Sequence, residues 1–548
     1  MDRYFRHNWL IYLVINIVLS YIYLLNTTRD WDHFISAFTI DSIGFLENFK
    51  PIDWSYLMCG GVTRVGDPQS FSYSPLLIFP ILLGGFWGSK VICIILFLLG
   101  SVSLDGLASD VSHYLKKRRL QRMVLVISCL YSSFLVSHIT EGHITFIMLL
   151  PCISLVYLLN KIIVKNEASY KNYSLLSLIV FLIFSAGFYA ALMYFLIPLF
   201  ISLIIVLLIN IKDLKELTLK FYQPILAILV GLLLSSPKIY GVISYQLQNP
   251  RVLTPRIESH LLDFYLFYFA PLIKYSYLGL IQSLSLWGSW EKTAFSPFIF
   301  LFLYFIFTKK PRFFYNKFKE FSLFERFFIQ LIFTFGLIGF LLSLGDFFPY
   351  APYSLLKSAL NHSTRVPFRF SFIALFSLFT LFFIFVDHLR SNRKVIYIFG
   401  LLSIICLPGF FLNEPSSRYE LYSRNYDLNL GHYNKVTFVP KRDNVQSNMY
   451  PAIATGTAVL NCYMPLKRDI TVSGEFNFIE SNTLKIYDFL FSPSQKDCLK
   501  NSYFNQEEIF IAKSCNGRVC LNFNGVNPKK DKYTFSVNKE NKRLCYEN

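Results

Sequence analysis

Charged residues are scarce in this chain. Asp, Glu, Lys and Arg make up 16% of its 548 residues, whereas apolar residues make up 54%. A soluble protein of this size would carry about a quarter charged residues, so this composition excludes an ordinary soluble fold. The mean hydropathy is +0.44, and several apolar runs approach about 20 residues, the length that crosses a bilayer. The sequence therefore predicts an α-helical polytopic membrane protein.

Three other features are missing. No small-x-small cleavage site follows the first apolar run, which favours a retained membrane helix over a cleaved signal peptide. The chain has no long hydrophilic segment on the predicted cytoplasmic side, which argues against an enzyme that uses nucleotide sugars there. The cysteine spacings fit no zinc-binding pattern well.

The apolar runs predict about eleven membrane crossings. They lie near residues 8–26, 89–112, 123–139, 143–160, 173–189, 191–210, 223–244, 294–308, 327–344, 367–386 and 395–412. Glycines interrupt the segment 74–88, which we interpret as a short surface or re-entrant helix. Residues 260–290 hold two more apolar pieces, which are interfacial or cross twice.

Basic residues set the predicted orientation. The net charge is +18, and much of the excess lies in short loops between crossings rather than in a nucleic-acid-binding patch. Loops on one side carry 22 Lys and Arg residues, against nine on the other side before the tail. The positive-inside rule then puts the N-terminus in the cytoplasm, with the first loop, 27–88, and the tail, 413–548, outside.

The tail differs in character from the rest of the chain. Short runs of alternating polarity, such as RDITVSGEF and EEIFIAKSC, predict an exterior antiparallel β domain over 413–548. An exterior compartment permits disulfides. Asn516-Gly517 is a turn signal, and we predict a disulfide between Cys515 and Cys520, which flank it.

Polar residues gather in three clusters beside the crossings. The first contains Asp30, Asp32 and His33, just after the first crossing. Carboxylates there can act as a general base or hold a divalent metal such as Mg²⁺ or Mn²⁺. The alternative is a solvated loop that ends the helix.

The second cluster contains His138, Glu141 and His143, between two closely spaced crossings. Ionisable residues at membrane depth are costly and often functional, although a polar hairpin tip explains them equally well.

The third cluster is Arg365 and Arg369, which share one helical face at the outer mouth of a crossing. Two guanidiniums suit a phosphate or diphosphate; the alternative is anchoring to lipid headgroups. The predicted topology puts all three clusters on the same outer side.

Six short motifs follow one another along the chain: Asp30-Trp31-Asp32-His33, Pro51-Ile52-Asp53-Trp54, Gly60-Gly61, Ser74-Pro75-Leu76, Gly142-His143 and Arg365-Val366-Pro367-Phe368-Arg369. In order and spacing they resemble the GT-C superfamily of lipid-carrier-dependent glycosyltransferases, and more closely the bacterial YfhO-like membrane proteins. The likeness spans roughly residues 1 to 410. The chain lacks the "WWDYG" of oligosaccharyltransferases and the first-loop Asp-Glu pair of protein mannosyltransferases.

The resemblance implies a GT-C-like transmembrane domain over 1–412 in a bacterial inner membrane. It also implies transfer of a sugar from a polyprenyl-phosphate donor to a lipid or glycan acceptor at the outer leaflet. Asp30 or Asp32 would deprotonate the acceptor hydroxyl, and the sugar would pass through an oxocarbenium-like state.

The resemblance assigns further roles to residues of the three clusters. The leaving lipid phosphate would be held by Arg365 and Arg369. His33 would assist the two aspartates in catalysis, and the substrate site would be completed by Trp54, His138, Glu141 and His143.

Three other functions fit the same features. A polymerase or ligase of lipid-linked saccharides would need exterior Arg and His residues and could dispense with the aspartates. A lipid-carrier flippase or transporter would bury charges near the middle of its crossings, where this sequence is mostly apolar. An accessory scaffold would use the tail to recruit partners.

Overall fold

The structure of the protein is a computed structural model. It describes residues 3–24, 31–51, 54–55, 62–131, 133–140, 142–248, 311–345, 350–359 and 366–388, and the short strands 435–437, 457–459, 490–491, 510–511, 518–522 and 543–547. The described part is mostly helical, which confirms the predicted helical class. Six of its helical stretches are long and apolar enough to cross a membrane: Pro75–Val111, Ile144–Val164, Tyr189–Ile209, Ile211–Leu234, Leu323–Ser343 and Pro367–Phe385.

The predicted total of about eleven crossings is not confirmed. The predicted crossings 294–308 and 395–412 lie outside the described residues. Two predicted runs form helices with shorter apolar stretches, Trp9–Leu19 and Tyr170–Ser185. The run 123–139 is divided between two helices, because the first one ends at Leu130.

The bounds of the helices are as follows. The α-helices are Arg3–Leu24, Trp31–Asn48, Ile78–Val111, His113–Lys117, Arg119–Leu130, Ser133–Thr140, Leu149–Leu159, Tyr170–Ser185, Tyr189–Ala191, Ile197–Ile209, Leu214–Leu234, Ser236–Gln248, Pro311–Glu320, Leu323–Ser343, Pro352–Ala359 and Ser371–Phe385. Short 3₁₀ turns are Pro75–Leu77, Ile144–Met148, Ile211–Asp213, Pro367–Phe370 and Val386–His388. Two π-helical segments are Asn160–Val164 and Leu192–Leu196.

The predicted short helix within 74–88 is the first part of a kinked helical stretch, and its place at the membrane surface stays a prediction. A second helix, which ends at Val111, follows the non-helical residue Gly84, at φ 76° and ψ 163°. This conformation is essentially restricted to glycine. Ser74 and Pro75 begin the helical stretch, because the Ser74 hydroxyl accepts a hydrogen bond from the Leu76 amide at 3.2 Å. The break therefore falls at a single glycine, four residues before Gly88.

Part of the predicted first loop is helical as well. Residues Trp31–Asn48 form a helix of 18 residues. Trp31, Phe34, Ile35 and Phe38 are buried, and their spacing of i, i+3, i+4 and i+7 puts them on one face. The apolar spacing of this segment therefore indicates a helix, whereas its aspartates favour a loop.

The described residues divide into two compact units. The first comprises residues within 1–26, 92–236 and 254–415, and the second comprises residues within 27–91, 237–253 and 416–548. The proposed domain boundary at 412 lies outside the described residues and stays a prediction.

Close helix contacts in the first unit depend on glycine. Leu323–Ser343 packs against Ser371–Phe385, and a Cβ at Gly336 or Gly339 would come within 2.6 Å of Ser377 or Ile373, respectively. Small residues allow membrane helices to approach in this way. The glycines therefore fix the position of the helix that follows Arg369.

The tail contains short strands in two three-stranded sheets. We number the strands β3 (Lys435–Thr437), β4 (Thr457–Val459), β5 (Leu490–Phe491), β6 (Phe510–Ile511), β7 (Arg518–Asn522) and β8 (Arg543–Glu547), after the hairpin pair β1 (Trp54–Ser55) and β2 (Val62–Thr63). The sheet orders are β4-β3-β6 and β5-β7-β8.

The tail strands only partly match the expected antiparallel arrangement, since β3 and β4 pair in parallel. The backbone register places Cys520 opposite Cys545, whereas Cys515 lies outside the described residues. A β domain over 413–548 and its disulfide stay predictions.

Candidate functional site

The second predicted cluster lies at a tight turn in the first unit. Helix Ser133–Thr140 ends just before Gly142, which has φ 90°. The His143 amide donates to the His138 carbonyl at 2.9 Å. This turn brings the two imidazole rings to 6.0 Å between centroids. The predicted hairpin tip is therefore present, although Glu141 lies outside the described residues.

Phe146 is the centre of this cluster. Its ring centroid lies 4.4 Å from that of His138 and 6.0 Å from that of His143. Tyr194 stacks on it at 5.6 Å. Histidines and aromatic rings from two parts of the chain thus form one packed group.

Arg369 joins the same group. It lies in the 3₁₀ turn Pro367–Phe370, which leads directly into helix Ser371–Phe385. Its guanidinium carbon is 5.1 Å from the centre of the Phe146 ring and 5.8 Å from that of Tyr194. These are cation–π distances. The second and third predicted clusters therefore converge, although Arg365 lies outside the described residues.

A lysine and a tyrosine extend the group. Tyr353 in helix Pro352–Ala359 lies 6.2 Å from Phe370, ring to ring. The Lys357 ammonium lies 6.0 Å from the Tyr353 ring. Lys357 and Arg369 are both buried. We define the basic–aromatic site as His138, His143, Phe146, Tyr194, Tyr353, Lys357, Arg369 and Phe370.

The chemistry of the basic–aromatic site suits an anion. Arg369 and Lys357 are cations in a poorly hydrated setting, where charge interactions are stronger than in water. The first turn of helix Ser371–Phe385 adds the partial positive charge of a helix N-terminus. Guanidinium groups bind phosphate through paired hydrogen bonds. The site can thus hold a phosphate while its aromatic rings contact apolar parts of the same ligand.

The first predicted cluster lies in the second unit. Asp30 and the side chain of Asp32 are outside the described residues, so a metal at this pair stays a prediction. His33 is half-buried, and its ring lies edge-on to Phe34 at 5.2 Å. The backbone of Trp54 pairs with Thr63 in the β1–β2 hairpin, while its side chain is not described. Among the described residues, no group of three or more His, Cys, Asp or Glu is placed to hold a metal.

Trp31 anchors the start of the helix that carries Asp32 and His33. Its indole is fully buried, and the Lys90 ammonium lies 3.0 Å from its ring centre. A desolvated cation–π contact of this kind contributes about 2 kcal/mol. This contact could not be predicted from the sequence, because Lys90 lies 59 positions away within an apolar run.

Two aspartates of the first segment form a buried ion-pair network with Arg64. The guanidinium binds both Asp41 oxygens, at 2.7 and 3.0 Å, and one Asp67 oxygen at 3.2 Å. Ser70 donates to Asp41 at 3.1 Å. Asp41 and Asp67 therefore have structural partners, and we do not consider them candidate catalytic bases.

Lys238 completes the Arg64 network. Its ammonium donates to the carbonyl oxygens of Arg64 at 3.1 Å and Asp67 at 2.6 Å. It is fully buried and lies beyond the end of the candidate span Ile211–Leu234. Burial lowers the pKa of Lys238 to about 7, although the carboxylates of Asp67 and Asp41 oppose this shift.

Sequence comparison adds no assignment to these sites. No protein-family model matches the chain, and no curated protein matches it either.

Proposed function

We propose that this chain is a membrane glycosyltransferase that transfers a sugar from a polyprenyl-phosphate donor to a lipid or glycan acceptor. The observation that carries the proposal is the convergence of Arg369, His138 and His143 around Phe146. These residues belong to separate clusters of the sequence, and His143 and Arg369 are 226 positions apart. A basic site walled by aromatic rings suits a phosphate that is attached to an isoprenoid chain.

The proposed reaction breaks the bond between the anomeric carbon and the phosphate oxygen. The acceptor oxygen forms the new bond to that carbon, and its proton passes to Asp30 or Asp32. The electron pair of the broken bond stays on the lipid phosphate, whose added negative charge Arg369 stabilises. Arg365 and His143 are proposed to assist in binding, as are Glu141 and Trp54, while His33 is proposed to assist the catalytic aspartate.

The orientation in the membrane and the structure of the tail are part of the same proposal. We place the N-terminus on the cytoplasmic side of a bacterial inner membrane. The tail lies outside it as a β-rich domain, with the predicted disulfide between Cys515 and Cys520. The strong excess of basic residues on one side supports this orientation. A divalent metal at Asp30 and Asp32 is compatible with the proposal, because carboxylates are its preferred ligands.

The test measures transfer of a labelled sugar from polyprenyl-phosphate donors to lipid and glycan acceptors in membranes. Arg369→Ala is expected to lower the transfer rate by about 10²-fold or more. Whichever of Asp30→Asn and Asp32→Asn removes the catalytic base is expected to lower it by about 10²- to 10⁴-fold. The matched control is Arg118→Ala, an exposed arginine on the predicted cytoplasmic side, which is expected to keep full transfer. Wild-type membranes without transfer from any such donor would refute the proposal.

A ligase of lipid-linked saccharides is the second candidate, because the described part of the site contains Arg and His side chains but no carboxylate. It predicts that Arg369→Ala abolishes activity while both aspartate variants keep it. The same four variants therefore separate the two enzymes, with joined lipid-linked saccharides as the product measured for the ligase.

A further inference from the structure

Two buried hydroxyl groups border the basic–aromatic site. Tyr194 and Ser371 are both fully buried. Neither the Tyr194 hydroxyl nor the Ser371 hydroxyl has a hydrogen-bond partner within the described part of the chain. A buried hydroxyl without a partner costs about 1–3 kcal/mol, and most buried polar groups avoid this cost. Two buried hydroxyls without partners at one site therefore suggest that a bound ligand supplies their hydrogen bonds.

Both hydroxyls are carried by elements that meet at Arg369. Ser371 is the first residue of the helix that follows the Arg369 turn. The Tyr194 ring lies 5.1 Å from the Phe370 ring and 5.8 Å from the Arg369 guanidinium carbon. The two residues therefore border the same helix N-terminus from different parts of the chain.

The backbone around Tyr194 is unusual. Residues Leu192–Leu196 form a π-helical segment at the start of a candidate membrane span. Single π-helical turns are rare and frequently occur at functional sites. The helix thus departs from regular geometry at the turn that carries the Tyr194 hydroxyl.

We propose that Tyr194 and Ser371 donate their hydroxyl hydrogens to the phosphate oxygens of the lipid ligand that Arg369 binds. This inference rests on the proposed function and adds two residues to its phosphate site. Each hydroxyl gains the partner that the described protein does not supply. The phosphate gains two neutral donors beside the guanidinium and the helix N-terminus, and its apolar chain contacts the aromatic rings.

The test compares Tyr194→Phe with Tyr131→Phe in the purified full chain in lipid nanodiscs. The Tyr131 hydroxyl donates to Asn16 at 2.5 Å, so its removal deletes an internal hydrogen bond. Removal of the Tyr194 hydroxyl deletes none among the described residues. Because it removes a buried hydroxyl that has no partner, Tyr194→Phe is expected to hold the melting temperature of the ligand-free chain at or above the wild-type value. Tyr131→Phe is expected to lower it. For ligand binding we expect the reverse pattern: Tyr194→Phe weakens it and Tyr131→Phe leaves it unchanged.

The probes are a long-chain polyprenyl monophosphate, the unphosphorylated polyprenol and phosphatidylglycerol. Wild type should bind the monophosphate in preference to both others. Tyr194→Phe should bind it about ten-fold more weakly, the cost of one lost hydrogen bond to a charged group. Ser371→Ala should weaken binding in the same direction, and Tyr131→Phe should bind like wild type.

The outcomes separate the inference from the proposed function. Selective binding by wild type with unchanged affinity in Tyr194→Phe and Ser371→Ala would overturn the inference and leave the proposed function standing. Equal binding of polyprenol and its monophosphate by wild type would overturn both. Equal competition by phosphatidylglycerol would reduce the site to a general contact for anionic lipid, which also overturns the inference.

Discussion

Lys238 is a buried cation whose partners are mainly backbone carbonyl groups. Its ammonium donates to Arg64 and Asp67, and Arg64 in turn binds Asp41 and Asp67. The lysine thereby holds the backbone of residues 64–67 while their side chains form the ion pairs. These contacts offset only part of the cost of burying the charge, as the lowered pKa of Lys238 indicates.

This burial predicts a pH-dependent stability. The pKa of Lys238 is about 7 in the folded chain, against an ordinary value of 10.5. Between these values the unfolded chain binds one more proton, so stability rises with pH, by at most about 1.4 kcal/mol per pH unit. The charged groups that act on Lys238 are Asp67, Asp41 and Arg64. The cost of the buried charge is fully present below pH 7.

The measurement is thermal unfolding in detergent from pH 6 to pH 9. Lys238→Met should flatten the rise in melting temperature that wild type displays over this range. The matched control is Lys212→Met, a change at an exposed lysine, which should keep the wild-type slope. Identical slopes in wild type and Lys238→Met would contradict the prediction.

Single residues differ in how far their role could be predicted. Arg369 and the two histidines stood out because ionisable groups at the mouths of apolar runs are rare. Tyr194 lies inside such a run, where the sequence does not distinguish it from other tyrosines, and only the structure identifies its hydroxyl as buried. The partners of Arg64 could not be predicted, since nothing in the sequence links position 64 to Asp41 or Lys238.

Helix packing in the first unit depends on the absence of side chains at two positions. Gly336 and Gly339 are spaced i, i+3, so they lie on one face of Leu323–Ser343. Their backbone approaches Ser377 and Ile373 of the following long helix. That helix begins directly after Arg369, so the same contact that holds the helices together also positions the basic–aromatic site.

Gly339→Ala is therefore expected to push these two helices apart. The new Cβ would lie 2.6 Å from the Ile373 Cβ, and overpacking of this kind costs about 1–3 kcal/mol. Ile373→Ala in the same chain should recover part of the loss, because it removes atoms that clash. A control at Leu337, which is exposed on the same helix, should have little effect as Leu337→Ala.

Thermal unfolding of the two single variants and the double variant gives the coupling energy between positions 339 and 373. A favourable coupling confirms the close contact. Additive effects would mean that these positions do not meet in the folded protein.

The bounds of helices were predicted best where hydropathy alone defines them. The crossing predicted at 367–386 coincides closely with Pro367–Phe385, because so apolar a run of this length is stable mainly as a membrane helix. The bend near residue 84 was less predictable, since three glycines offered a break and the backbone uses only Gly84. Helix Trp31–Asn48 was not predicted for another reason: its apolar spacing is clear, but its four ionisable residues, Asp32, His33, Asp41 and Glu47, favour a loop.

At the scale of the whole molecule, charge is distributed unevenly along the chain. Lys116, Lys117 and Arg118 are exposed at the end of one helical stretch, as expected for a cytoplasmic loop. Two of the basic residues that were counted in loops for the positive-inside rule form buried ion pairs instead. Arg122 pairs with Asp105 at 2.7 Å, and Arg64 pairs with Asp41. The remaining bias still favours a cytoplasmic N-terminus and an exterior tail.

Labelling of native lysines tests this orientation without any substitution. A membrane-impermeant amine reagent applied to intact spheroplasts should modify Lys529 and Lys530 of the tail. It should modify Lys116 and Lys117 only after the membrane is permeabilised, because the predicted topology keeps that loop inside. Peptide mapping by mass spectrometry reads out both sites in one sample, and the permeabilised sample controls for intrinsic reactivity. Modification of Lys117 in sealed spheroplasts together with protection of the tail would reverse the orientation, and would place the basic–aromatic site at the opposite leaflet from the proposed donor.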